Sequence, residues 1–439
     1  MRRNSFLRLP LLALPLAATA ARAQSPPEER QHPAPYSPTI HDVAREPYRV
    51  LRAGEGFRGS VFGSEFEAAP RDRRSVAAWD VGVASAPRAE DAAALPFASA
   101  YLWQRPDDTH FLRAIVAGVY NDITIAGKPA GSNTEVLFTF ESYAWPAASA
   151  PLIDGEIDET RELTWGYARP GVGIGLRDPI GPAQDNLFVC NLVGEVGALW
   201  FGRGDQTDPG LGVPDSTTEL RLRTQLRYDL LQRNLLEMPH EGHALGADFV
   251  YGHRSEWDDW GPAPLAGAAN STRNYAIATA YGFMASGVPF VDSEFHRLIA
   301  SIHAGVGDDT DRFSAPRLGG GPDPRGEEFG LVARPILPGA ALGEFYPSHY
   351  AVLHAGYRLQ PMWFAFVDVG ATAAWLDRDR LTGLGTVRND DWMTAVNARL
   401  SSGCFGRTRF QLLYAYNFDV VRNGEDGGHE LAFHVTGFF

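Results

Sequence analysis

The sequence predicts an all-β chain: a transmembrane antiparallel β-barrel of 16 strands, or 14 if the first two segments fail. Three observations lead there. Period-two alternation of apolar and polar residues is common along the chain, while helical periodicity is scarce. The alternating segments suit the ~9–11 residues of a tilted spanning strand. The connections between them alternate in length, as short turns on one side of a membrane and longer loops on the other would.

Before the first strand the chain carries a targeting pattern. Arg2 and Arg3 form a basic start, an apolar run extends from Leu9 to Ala21, and Ala21-Arg22-Ala23 reads as a cleavage site. Residues 1–23 are therefore expected as a signal peptide. An uncleaved anchor is the alternative, but the run is short of the ~20 residues a spanning helix needs. Residues 24–47, rich in Pro, Glu, Arg and His, are expected as a flexible periplasmic leader, and 48–439 as the barrel.

The strands are expected near 48–60, 75–85, 96–104, 110–126, 133–145, 165–177, 187–202, 218–230, 243–253, 274–286, 295–305, 349–359, 363–376, 391–402, 409–420 and 429–439. The clearest is 218–230. Leu220, Leu222, Thr224, Leu226, Tyr228 and Leu230 share one parity; Glu219, Arg221, Arg223, Gln225, Arg227 and Asp229 share the other. A strand places these sets on opposite faces, whereas a helix would mix them. The last strand sets Leu431, Phe433, Val435, Gly437 and Phe439 on one face, with Phe433, Val435 and Phe439 as the C-terminal insertion signal that an outer-membrane assembly machinery would read. An even count places both termini on the periplasmic side. Long connections are expected at 144–164, 254–273, 305–348 and 377–391, and tight ones at 360–362 and 403–408. Tyr101, Trp103, Trp145, Trp165, Trp200, Trp363, Trp375 and Trp392 sit near strand ends and are expected as interfacial girdles. A soluble sandwich with an aromatic core would also alternate; segment length and loop asymmetry favour the membrane barrel.

Composition narrows the function classes. Lys plus Arg number 39 against 53 Asp plus Glu, a formal net charge of −14, so binding nucleic acid through bulk charge is not expected. Cys190 and Cys404 could form one disulfide in an oxidising compartment but make no framework. Neither has a second Cys or a His at metal-ligand spacing, so no metal or cofactor is expected. The expected lipid partner is that of the outer membrane.

Two stretches carry a family resemblance. The long connection after strand 11 contains Leu318-Gly319-Gly320-Gly321-Pro322-Asp323-Pro324-Arg325-Gly326, and strand 13 contains Phe366-Val367-Asp368-Val369-Gly370. Between them, strand 12 carries Tyr357-Arg358. Together these resemble the BamA/TamA-type barrels, the bacterial surface antigen family of outer-membrane assembly and translocation proteins. The resemblance covers roughly 317–439. It implies 16 strands and a loop after strand 11 folded into the lumen, whose Arg-Gly tip meets a lumen acid on strand 13. Carried onto this chain, Arg325 and Gly326 would meet Asp368, flanked by Phe366 and Gly370, with Arg358 nearby. Arg334 is a second-choice loop arginine that lacks the glycine. Physically, a buried guanidinium needs a fixed anion, and glycines let the loop turn tightly. Glu327 stands where the family has an aromatic tip. The family's periplasmic β-α-α-β-β repeats are not expected between Gln24 and the first strand, which implies a barrel-only relative or a separate periplasmic partner protein.

Passage or insertion of protein or lipid is the leading expectation, and no enzyme is expected. A passive pore is the first alternative, supported by the arginine row Arg221, Arg223 and Arg227, since charge rings select ions. A lipid hydrolase is the second. His240, His243, His253 and Ser271 are available, but no spacing singles them out and a G-x-S-x-G elbow is absent. An adhesive surface protein is the third.

Overall fold

The computed structural model describes residues 50–438 apart from 62–63, 89–90, 145–149, 154–155, 182, 184–185, 259, 263–272, 322–331, 383–384, 404–407 and 423. The signal peptide, the leader, Trp145, Ser271, Arg325, Gly326, Cys404 and Phe439 lie outside the described residues.

Sixteen antiparallel strands form one closed barrel. In chain order they are β1 Ser75–Arg88, β2 Asp91–Gln104, β3 His110–Val116, β4 Tyr120–Gly127, β5 Thr134–Ala144, β6 Leu163–Pro179, β7 Leu187–Arg203 and β8 Thr217–Asp229. The second half comprises β9 Pro239–Arg254, β10 Asn274–Gly287, β11 His296–Asp308, β12 Pro347–Met362, β13 Ala365–Thr382, β14 Gly385–Ser402, β15 Thr408–Arg422 and β16 Glu425–Phe438. Each strand pairs with its sequence neighbours. β16 closes the ring on β1, from Leu431 opposite Ser85 to Phe438 opposite Ala78. Closure leaves no free sheet edge around the ring, the condition for a sheet to sit in hydrocarbon.

The wall is apolar outside and polar inside. On β8, Leu220, Leu222 and Leu226 are exposed, while Glu219 and Asp229 are buried. The same division puts Phe138, Val172, Ile174, Ile302 and Leu353 outside, and Glu135, Arg169, Glu195, Arg358 and Asp368 inside. In a soluble fold of this size these exposed side chains would form a large unfavourable patch; against lipid they are in their solvent. No helix among the described residues is long and apolar enough to cross a membrane. Leu222→Arg tests this face. It should cost about 2–4 kcal/mol of folding free energy in lipid vesicles if Leu222 lies near the bilayer midplane. An unchanged urea midpoint would remove this face from the lipid.

The strand total agrees with expectation, but two of the assignments behind it do not. Residues 48–60 were expected as the first wall strand. Instead Arg52 bridges Asn234, and Phe57–Val61 pairs with Ser64–Ala68 in a separate hairpin. The segment 110–126, expected as one strand, is two. Ala117 N donates to Tyr120 O at 2.9 Å, and Gly118 takes the positive φ of 74° that the reversal requires. One loss and one gain cancel. The connection expected at 377–391 is instead a continued ladder to Thr382 opposite Gly385. Arg378 Nε donates to Asp391 Oδ2 at 2.6 Å across this extension.

The girdle expectation needs a similar correction. Trp200 and Trp392 do lie on the outer surface, but Tyr101, Trp103, Trp165 and Trp363 are buried. For Tyr101, Trp103 and Trp165, parity on the strand turns them into the lumen, so proximity to a strand end does not decide which face an aromatic serves. Trp363 departs for a different reason. It occupies the turn between β12 and β13, where the register shifts, and packs inward beside Phe366.

Candidate functional site

The lumen is where chemistry-bearing residues converge, and two chain segments cross it. The first is the connection 309–346 after β11, whose described limbs fold inward as expected. Asp311 fixes its start. Oδ1 accepts from Phe313 N and Ser314 N, both at 2.9 Å, and Oδ2 accepts from Arg254 Nη1 at 2.5 Å. Phe313 then wedges among Trp165, Phe201, Trp257 and Trp260. Further on, Leu318 and Phe345 exchange backbone hydrogen bonds at 2.9 Å, drawing the two limbs together. Leu318, Leu337, Ala340 and Phe345 pack on Tyr350, Val352, Leu376 and Val420 of the wall. Val332 packs with Leu231, Ala244 and Tyr281, and its carbonyl accepts from His303 Nε2 at 2.9 Å.

One carboxylate clamps both limbs. Glu430 on β16 is buried and lumen-facing. Its Oε1 accepts from Gly321 N at 2.7 Å and its Oε2 from Gly339 N at 2.9 Å. Beside it, Asn417 Nδ2 donates to Pro338 O at 3.2 Å, and Arg422 grips Glu344 at 2.6 and 2.7 Å. The loop needs glycine here. Gly339 has φ 80°, and a Cβ on it would lie 2.6 Å from Asn417 N; one on Gly320 would lie 2.6 Å from Glu430 Oε2. The loop backbone thus lies directly on the wall, and its amide groups find their anion in Glu430.

Asp368, the acid singled out in sequence, is buried in the lumen as its parity requires. Its neighbours across the sheet are Arg358 on β12 and Arg399 on β14, each directly opposite it in register. Arg358 Nε donates to Oδ1 at 2.6 Å; Arg399 Nε stands 3.5 Å from Oδ2. Oδ2 has no hydrogen-bond partner among the described residues. Phe366 is buried below, and Gly370 leaves the space that His354 fills. Arg334 is exposed on the loop.

The arginine row of β8 faces the lumen, but each member has an anion. Arg221 is 3.5 Å from Glu195 and 3.6 Å from Glu141, Arg223 donates to Glu195 at 2.9 Å, and Arg227 to Asp248 at 2.8 Å. Together with Arg113, Arg177, Tyr281 and Val332, Arg223 and Arg227 line a cavity of about 60 Å³. That is room for a few waters, not for a substrate chain.

The second crossing was not anticipated. The β8–β9 turn folds into the end of the barrel where β1 begins and β16 ends. Leu235, Leu236 and Met238 pack with Leu51, Trp363 and Phe366. Arg409 Nη1 donates to Leu236 O at 2.9 Å, and Arg358 Nη1 donates to Pro239 O. The apolar density of Leu230-Leu231 and Leu235-Leu236 within a turn was the available signal, since a solvated turn has no use for it.

The histidines do not assemble. His240 Nε2 accepts from Arg297 Nε at 3.0 Å, His243 is stacked on Tyr228, and His253 Nδ1 meets Asn274 Oδ1 at 2.8 Å. Cys190 is exposed on the outer face of β7.

No protein-family model matches the chain. No curated protein sequence matches it either. Among solved structures it is similar to BamA from Haemophilus ducreyi lacking POTRA domains 1–3, with a TM-score of 0.52, 10% identity, and coverage of 88% of this chain and 75% of that one. Two CdiB structures are also similar. That from Acinetobacter baumannii has a TM-score of 0.48 and 7% identity, over 89% of this chain and 64% of that one. That from Escherichia coli has a TM-score of 0.46 and 12% identity, over 90% and 68%. At these identities the likeness to BamA is one of fold: the chain has the 16-strand barrel architecture of an outer-membrane protein.

Proposed function

We propose that the chain sits in the outer membrane of a Gram-negative-type bacterium and acts in the gated passage or insertion of protein or lipid there, as the BamA/TamA-type resemblance implies. The observation that carries this reading is the doubly crossed lumen. Two segments from opposite ends of the barrel are held inside it by buried clamps, which is the build of a gate and not of an open pore. Under this reading residues 1–23 direct export, Phe433, Val435 and Phe439 mark β16 for the insertion machinery, and the near end of the barrel faces the periplasm. A separate periplasmic protein is the proposed partner. Asp368 Oδ2, which accepts no hydrogen bond among the described residues although Arg399 stands 3.5 Å away, is the proposed acceptor for the Arg325–Gly326 tip.

The pairing of Arg221, Arg223 and Arg227 with carboxylates argues against a pore that selects ions by a bare positive ring. The scattered histidines argue against a hydrolase. Depletion separates the readings. Loss of the chain should lower the amount of other outer-membrane proteins or disturb lipid distribution between the leaflets. If both stay normal and only small-solute uptake falls, the passive pore is the better reading.

A further inference from the structure

We infer that the β8–β9 turn, residues 230–238, is a periplasmic gate and that residues 50–55 and 71–74, which precede the barrel wall, are its latch. This deepens the proposed gated passage and rests on it.

The turn is gripped from the latch side at residues 233–235 and at Glu237. Ala53 N donates to Arg233 O and Leu235 N to Leu51 O, both at 2.9 Å, around the Arg52–Asn234 bridge. The latch therefore adds a short piece of antiparallel ladder to the turn. Val50 N donates to Glu294 Oε2 at 3.0 Å, tying the latch to the neighbouring β10–β11 turn. At the far tip of the turn, Glu237 is fully buried and accepts from Arg71 and from Arg73, the latter at 2.7 Å. Both arginines come from the latch. Arg71 also lies over the Phe438 ring of β16, 5.2 Å from its centroid, which joins the latch to the wall.

Two features mark this as a gate and not a permanent floor. Glu237 has φ 60°, a left-handed conformation that glutamate adopts at a cost and keeps only while its surroundings impose it. What imposes it is the pair of latch arginines, together with Asn234, whose Oδ1 accepts from Leu236 N and Met238 N. Remove the latch and the buried carboxylate loses its counter-charges, so the tip is driven toward water. The latch itself is no wall strand. It precedes β1 in the chain and ladders with the turn, so a pull on it acts on the gate directly. Behind the gate lies the cavity lined by Arg223, Gln225, Arg227 and Arg233.

The test reads access to that cavity from each side. In full-length protein with Cys190→Ser and Cys404→Ser, Gln225→Cys places one thiol on the cavity wall. The protein is reconstituted in vesicles in known orientation, and a membrane-impermeant maleimide is added from one side. Arg71→Gln with Arg73→Gln should speed labelling from the periplasmic side at least tenfold and leave labelling from the other side unchanged. Glu237→Gln, which keeps the side-chain shape, should do the same, and Arg71→Lys with Arg73→Lys should restore most of the protection. Equal rates in all variants, with folded barrels by heat-dependent gel mobility, would overturn the latch. So would equal acceleration from both sides, which reports a loosened wall. Neither result depends on what passes through the barrel, so the depletion experiment can fail independently.

Discussion

Glu430→Ala should unseat the loop that closes the far end of the lumen. The carboxylate accepts two backbone amides, one from each limb of the loop, at 2.7 and 2.9 Å. Hydrogen bonds to a charged group contribute about 1.5–3 kcal/mol each, and buried amides left without an acceptor add a desolvation cost. A loss of about 3 kcal/mol from the closed state is roughly a hundredfold shift in the open-to-closed ratio. The readout is labelling of Gln225→Cys from the outer side, because Val332 of this loop lines the same cavity. Outer-side labelling should rise by about that factor while the barrel stays folded, since the strand register of β15 and β16 does not depend on the side chain. Glu430→Gln, which keeps one acceptor oxygen, should fall between. If Glu430→Ala leaves outer-side labelling unchanged, Asn417, Arg422 and the apolar cluster hold the loop without it. The two closures are in series. Conductance in planar bilayers should therefore stay low in Glu430→Ala alone and appear when it is combined with Arg71→Gln and Arg73→Gln.

The wall was legible in sequence because a strand's faces alternate strictly, so Leu220 and Arg221 had to part company once the segment was a strand. The far-end loop was legible in outline, since a connection of its length and glycine content has to be placed somewhere. Its clamp was not. Glu430 is one polar residue among several on β16, and nothing local marks which lumen acid a distant loop, far earlier in the chain, will meet. The gate was harder still. Its parts lie at 50–55, 71–74 and 230–238, and only barrel closure brings them together. The leucines of the turn were the one local sign. Residues 110–126 misled for a different reason: Gly118 is flanked by Ala117 and Val119, which continue the apolar content of a strand across what is a reversal. Aromatic position misled because nearness to a strand end says nothing of parity, as Trp103 and Trp165 show.

Asp368→Ala should destabilise the barrel itself, where Glu430→Ala only frees a loop. Arg358 and Arg399 flank the carboxylate from β12 and β14, each in direct register with it. Arg358 is buried, with a guanidinium that cannot shed its charge. Removing one partner of a buried pair leaves an uncompensated charge, at a cost of about 3–5 kcal/mol. Arg358 also donates to Pro239 O at the root of the near-end gate, so its displacement should reach the gate as well. The expected result is a marked fall in the urea midpoint and in the temperature at which the folded gel band is lost, together with faster periplasmic-side labelling of Gln225→Cys. Adding Arg358→Met to Asp368→Ala should recover part of the stability by removing the stranded charge, but not the protection of the cavity. A stability equal to the parent's in Asp368→Ala would mean that water or another acid reaches Arg358, and the ion pair would lose its structural weight. The labelling side identifies which segment the carboxylate serves: acceleration from the outer side too is the result expected if Arg325 also uses Asp368, and Arg325→Ala should then produce the outer-side effect alone.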